Sequence, residues 1–195
     1  MGKVRPPIPV NVIVGMLSNN LSLFDMAENR LEEQLGPLEL KSHIFPFHYT
    51  DYYEKEIGRD INRQFLSFQK LIDPEALAEV KVFTNTLEEE FKREKATAGR
   101  PINLDPGYLA SSKLVLASTK DYYHRIYLRK GIYAEVTLRY LKGAFEPFPW
   151  TYSDYRSKEY IDFFKAVRTL YMKKLSGQLS ENPEGYHNAE DTSNP

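Results

Sequence analysis

An α+β fold is what this sequence predicts, and three observations predict it. From Val10 to Gly107, apolar segments of strand and helix period follow one another as strand, helix, strand, strand, helix, strand. A two-stranded hairpin comes next, and residues 132–140 alternate cleanly between apolar and polar. An amphipathic helix and a polar segment close the chain. The first six elements have the order of the split βαβ, or ferredoxin-like, core. The expected architecture is that core with an added C-terminal β-hairpin and helix.

Val10, Val12, Ile13 and Val14 are β-branched and read as a buried strand ending near Met16, broken by Ser18-Asn19-Asn20. Ser22 is the expected cap of a helix, with Asp25 three residues on completing a capping-box-like pattern. Phe24, Ala27, Leu31 and Leu35 form one face, and Gly36-Pro37 ends the helix. Leu38 to Phe47 is a second strand, residues 50–60 a polar, Tyr-rich connection, and Phe65 to Ile72 a third strand. Asp73-Pro74-Glu75 starts the second helix, with Asp as cap and Pro at the first position. Its stripe of Leu77, Val80, Thr84, Leu87 and Phe91 carries on to about Lys95, with a break admitted at Thr84-Asn85. Ile102 and Leu104 form a strand running into a tight turn at Asp105-Pro106-Gly107. Lys113 to Ala117 suits a strand or short helix, and Arg125–Leu128 and Ile132–Tyr140 make a hairpin turning at Arg129-Lys130-Gly131. Ser157 to Leu175 is the last helix, with Gly177 past its end.

Residues 1–177 are read as a single domain and 178–195 as a disordered acidic tail, since the latter hold no Lys or Arg and few aliphatics. The 195 residues are 42% hydrophobic and 27% charged, enough for one sizeable core. Lys plus Arg is 26 and Asp plus Glu 27. Four of those acids (Glu181, Glu184, Glu190 and Asp191) fall in the tail, so the body carries 26 basic and 23 acidic residues, net +3. That charge permits an anionic ligand, gives no reason to expect DNA, and leaves RNA or protein partners open. With Cys at 0, disulfides, thiolate zinc sites and cysteine nucleophiles are excluded. No run reaches membrane-span length, and Pro9 and Asn11 interrupt the early apolar stretch, so a cytoplasmic setting is expected.

Three clusters carry candidate chemistry. The loop from His48 to Asp60 holds four acids, a His and three Tyr, and Asp51 and Glu54 are its candidate ligands for a divalent metal. The bland reading is a solvated connection. His48-Tyr49-Thr50 also matches the H-x-[ST] element of two-histidine phosphoesterases, but the second copy, His124-Arg125-Ile126, lacks the hydroxyl residue. In the second cluster, alternation sends Asn103 and Asp105 away from the core side of Ile102 and Leu104, making Asn103 a candidate ligand contact and Asp105 a candidate catalytic acid. The third cluster places Lys120, Asp121, His124 and Arg125 together: Lys120 and Arg125 suit a phosphate or carboxylate, and His124 is the best general acid/base candidate. Glu135, Asp154 and Arg156 complete the ligand-binding set, and Trp150 is read as a core lid rather than a pocket wall. No phosphate-cradling P-loop, H-E-x-x-H, G-x-S-x-G or G-x-G-x-x-G is present, and Thr119-Lys120-Asp121 fits a guanine-reading motif only after a deletion.

Several longer strings are distinctive: Thr50-Asp51-Tyr52-Tyr53-Glu54-Lys55-Glu56-Ile57-Gly58, Asn103-Leu104-Asp105-Pro106-Gly107-Tyr108, Lys113 to Leu128, Ala134-Glu135-Val136-Thr137-Leu138, and Trp150-Thr151-Tyr152-Ser153-Asp154-Tyr155-Arg156. In these the chain resembles a bacterial family catalogued as domain of unknown function 4416, over nearly all but the tail. The resemblance implies no established activity. Members are sometimes labelled GTP-binding, a label that the missing P-loop leaves without a motif.

Two functions follow as expectations. One is a small-molecule enzyme or binding protein for an anionic, nucleotide-like ligand, with a divalent metal as an optional cofactor. It requires the three clusters to converge on one pocket. The other is a non-catalytic module that binds protein or RNA through a Tyr-rich surface.

Overall fold

The computed structural model describes residues 3–181, with side chains to Gly177. The strands are β1 (Val10–Ser18), β2 (Leu38–Lys41), β3 (Phe45–Pro46), β4 (Asn62–Ile72), β5 (Asn103–Leu109), β6 (Lys113–Ser118), β7 (Ile126–Arg129), β8 (Ile132–Leu141) and β9 (Ala144–Pro147). The helices are α1 (Ser22–Leu35), α2 (Glu54–Ile57), α3 (Leu77–Glu94) and α4 (Lys158–Glu181). The fold is α+β: all strands join one sheet in the order β2-β4-β1-β5-β6-β8-β7, with β3 on β4 and β9 on β8. Every pairing is antiparallel.

Helices cover both faces of the sheet. On one, Val12, Val14 and Met16 of β1, Leu66 and Phe68 of β4 and Leu104 of β5 pack against α1 and α3. On the other, Ile13, Phe65, Leu109, Leu116 and Leu138 pack against Tyr160, Phe164, Val167 and Tyr171 of α4. Period-two alternation divides β1 between two cores, so all nine of its residues are buried.

Several local expectations are revised by their surroundings. Ser22 does not cap α1; the Asn20 side chain accepts from the Ser22 N–H at 3.1 Å and from its hydroxyl at 2.8 Å. The strand expected over residues 38–47 is divided into β2 and β3, both paired with β4. Helix α3 runs unbroken through Thr84, whose hydroxyl donates to the Lys81 carbonyl at 3.0 Å. Helix α4 includes Gly177 and reaches Glu181; the rest of the segment read as a tail, 182–195, lies outside the described residues. The hairpin turn is at Lys130 and Gly131, with φ of 54° and 75°, as a two-residue turn requires.

Two corrections shape the site. Asp105-Pro106-Gly107 is not a turn but the middle of β5, where Asp105 pairs with Gly15 and Pro106 with Val14. The ladder to β6 begins only at Gly107, so Pro106 sits where β5 has a partner on one side alone, and proline is tolerated there. A Cβ on Gly107 would come 2.3 Å from the Val115 carbonyl oxygen, so the close approach of β6 requires glycine. The polar face of β8 is not solvated either: Glu135 and Thr137 are buried. The β6–β8 register shifts between Leu114 and Val115, and Leu138 joins the α4-side core while Ile132, Ala134 and Val136 pack toward the start of α3.

Candidate functional site

Strands β5 and β6 pair over Gly107–Leu109 and Leu114–Leu116 and then diverge. A cavity of about 570 Å³ opens in the splay, lined by Asn103 and Asp105 on one side and residues 116–120 on the other. Helix α3 takes over the bonding that β6 leaves undone. Glu88 accepts from the Leu104 N–H at 2.7 Å, and Lys81 Nζ donates to the Leu104 carbonyl at 2.8 Å. Burial pushes the Glu88 carboxyl up, against the opposing pull of Lys81, the Leu104 N–H and Arg100.

On the α4 side, the cavity wall is built around Arg63 of β4. Its guanidinium donates to Asp105 at 2.9 Å and to Asp154 at 3.2 Å, among the rings of Phe47, Phe65 and Tyr155. Gly15 makes the room: a Cβ there would stand 2.8 Å from Arg63 Nη1 and 2.9 Å from the Phe65 ring. The two carboxyls respond in opposite directions. Burial would raise Asp105, but Arg63 and Lys81 outweigh it and hold the group below the usual carboxylate range. Burial raises Asp154; the Arg63 charge pulls it back without cancelling the rise, and the Asp105 charge adds to it. The Tyr155 hydroxyl is buried beside them with no hydrogen-bond partner among the described residues, and burial holds its pKa well above the phenol range.

Toward the mouth, Tyr52, Tyr122 and Tyr152 join Lys120 and Arg125. Lys120 Nζ donates to the Tyr52 hydroxyl at 2.8 Å. Arg125 donates to Glu135 at 2.7 Å, to the Ser118 hydroxyl at 2.7 Å and to the Tyr152 hydroxyl at 3.1 Å, and lies over the Tyr122 ring.

Of the residues singled out in the sequence, Asn103, Asp105, Lys120, Arg125, Glu135 and Asp154 all line this cavity. Four others do not. His124 lies outside the lining, its Nε2 at 3.1 Å from Glu135 and its ring stacked between Trp150 and Tyr122, so it meets the cavity through Glu135 and Tyr122. Arg156 donates to the carbonyls of Phe148, Pro149 and Thr151 and clasps that loop. Asp51 and Glu54 are exposed and lie outside the lining, and no group of three or more His, Asp or Glu that would hold a metal exists among the described residues. His48 is exposed and lies outside the lining as well, so it does not pair with His124 across the cavity. Trp150 lies outside the lining, donating from its indole to the Val136 carbonyl at 3.0 Å.

Sequence reading missed Arg63, Lys81, Arg100, Tyr155 and Asn85. For two of them a signal existed. Arg63 shares strand parity with core Phe65, and Lys81 lies on the apolar stripe of α3 between Leu77 and Thr84; a cation at an inward position needs a reason.

The chain is thus an α+β protein whose single antiparallel sheet opens around a polar, tyrosine-rich cavity. It belongs to the family described as a domain of unknown function (DUF4416), which it matches over residues 8–171. Neither a curated protein nor a solved structure matches it.

Proposed function

We propose that the cavity binds an anionic, nucleotide-like small molecule. The charge inventory of its wall carries this reading. Arg63 is matched by Asp105 and Asp154, Arg100 by Glu56 and Glu88, and Arg125 by Glu135. Lys81 and Lys120 remain, and neither forms an ion pair among the described residues. Lys81 is only 6% exposed, and the Glu88 and Asp105 carboxylates whose pKa values its charge lowers lie beyond ion-pair distance and are each bonded to an arginine, so its ammonium keeps N–H groups for a further acceptor. The volume suits a mononucleotide, and the tyrosines offer faces for a planar ring. Asp105 and Asp154, with their opposed pKa shifts, are the groups placed for proton transfer to such a ligand; His124 is a positioning residue that acts on Glu135.

The same proposal takes β2-β4-β1-β5 with α1 and α3 as the split βαβ, ferredoxin-like unit. The strand order and the shared helical face support it. A cytoplasmic setting belongs with it.

The test is a thermal-shift screen of nucleoside monophosphates and sugar phosphates against the matching neutral nucleosides and sugars. A ligand at 100 times its Kd adds about 2.7 kcal/mol, or about 5–10 °C for a chain of this size. Shifts confined to the anionic members are expected; a flat screen, or equal shifts with the neutral members, overturns the reading. A flat screen favours a module binding protein or RNA, a reading supported by Tyr123, Ile126 and Tyr127, which are exposed along and beside edge strand β7.

A further inference from the structure

We infer that the α3 end of the cavity, at Lys81, Asn85 and Asn103, is an oxyanion subsite that takes the phosphoryl group of the ligand. The inference rests on the reading that the cavity binds an anionic molecule, and adds where and how the charge is held.

Lys81 Nζ spends one N–H on the Leu104 carbonyl, at 2.8 Å, and has no carboxylate within ion-pair distance among the described residues. The preceding residue on the strand, Asn103, is 4% exposed. Its Oδ1 accepts from Arg100 Nη1 at 2.9 Å, which fixes the amide orientation. Its Nδ2 is buried and meets the geometry of a hydrogen bond with no group among the described residues; the nearest acceptor is the Asp105 carboxylate, whose pKa the amide helps to lower. Asn85 lies one helical turn beyond Lys81, lines the same cavity, and makes no side-chain hydrogen bond among the described residues. Each nearby carboxylate already has an arginine partner: Asp105 accepts from Arg63 through Oδ2, and Glu88 accepts from Arg100 and the Leu104 N–H. This end of the cavity therefore presents an ammonium and an oriented amide NH₂, with a second amide free to turn its NH₂ the same way. Such a pole matches a group that only accepts, and a tetrahedral phosphoryl offers one oxygen to each of the three side chains.

The mouth provides a contrast. Lys120 already donates to Tyr52 and lies over its ring, 4.6 Å from the centroid, so its charge has a local partner.

Titration calorimetry with AMP, adenosine, inorganic phosphate and acetate, on the full chain, tests the assignment. Wild type should bind AMP, bind adenosine more weakly, and show phosphate but not acetate competing with AMP. Lys81→Met should weaken AMP about 10- to 100-fold, the loss expected for a hydrogen bond to a charged group, while leaving adenosine within about twofold. Asn85 has no side-chain partner to lose among the described residues, so Asn85→Ala should fold as wild type and still weaken AMP several-fold. If AMP binds and Asn85→Ala and Lys81→Met leave it unchanged, or Lys120→Met alone weakens it, the subsite assignment is wrong and the cavity reading survives. Acetate competing as well as phosphate would make this a carboxylate site and overturn the phosphoryl assignment. Wild type binding neither AMP nor phosphate would overturn both.

Discussion

Arg63 holds two carboxylates inside the protein, and its environment dictates what its loss does. Arg63→Met keeps the bulk among Phe47, Phe65 and Tyr155 but leaves Asp105 and Asp154 buried against one another. Removing one partner of a buried ion pair costs about 3–5 kcal/mol, which urea denaturation at pH 7 would read directly. The two acids should then behave oppositely when changed singly. Asp105 has a depressed folded pKa, so its contribution is present above the ordinary carboxylate pKa and fades as pH falls through the folded value. Asp154 has a raised folded pKa, so its contribution is present below the ordinary value and is lost as pH rises through the folded one. Asp105→Asn should therefore be less stable than wild type at pH 7, with the deficit closing in acid. Asp154→Asn should be at least as stable at pH 7, with the advantage vanishing near pH 3.5. Melting temperatures at the two pH values check both; a large loss in Asp154→Asn at pH 7 would contradict the assigned direction.

At the scale of elements, the decisive feature is a strand that changes partners along its length. β5 pairs with β6 from Gly107 onward and leans on α3 before it, through Lys81 and Glu88. Gly107 sits at the hinge of that change, with the Val115 carbonyl 2.3 Å from where a Cβ would stand. Gly107→Ala forces backbone rather than a flexible side chain to move. The expected cost is about 1–3 kcal/mol, with faster amide exchange across Gly107–Leu109 and Leu114–Leu116 than in β1 and β4. Unchanged exchange in those two segments would mean the strands yield more easily than their spacing implies.

At the scale of the molecule, the cavity gathers groups from distant stretches of chain: Tyr49 to Tyr53, Arg63, Lys81, Asp105, Lys120, Glu135 and Asp154. A ligand bound there contacts α3 together with strands and loops far apart in the chain. Saturating AMP should slow amide exchange together in residues 49–53, in β5 and in residues 117–120, rather than in one loop. Protection limited to the exposed β7 edge would place the ligand outside the cavity.

Because period, capping and turn chemistry are local, the sequence by itself determined the α+β class, the hairpin and the order of the longer elements, though not the split of β2 from β3, the short α2 or β9. Asp73 caps its helix start, Lys130-Gly131 turns the hairpin, and the stripe of α3 faces the core. It also picked out six of the cavity's polar residues, since loops and strand ends crowded with charge and Tyr stand out from a core pattern. Only the tertiary structure decided which of those share a wall and which, like His124, Arg156, Asp51 and Glu54, stand away from it. Asp105-Pro106-Gly107 has the composition of a turn, yet the lateral pull of β1 and the closeness of β6 draw it straight. Arg63 and Lys81 took on their meaning only when sheet and helix enclosed them, because the cost of burying a charge depends on neighbours far away in the chain.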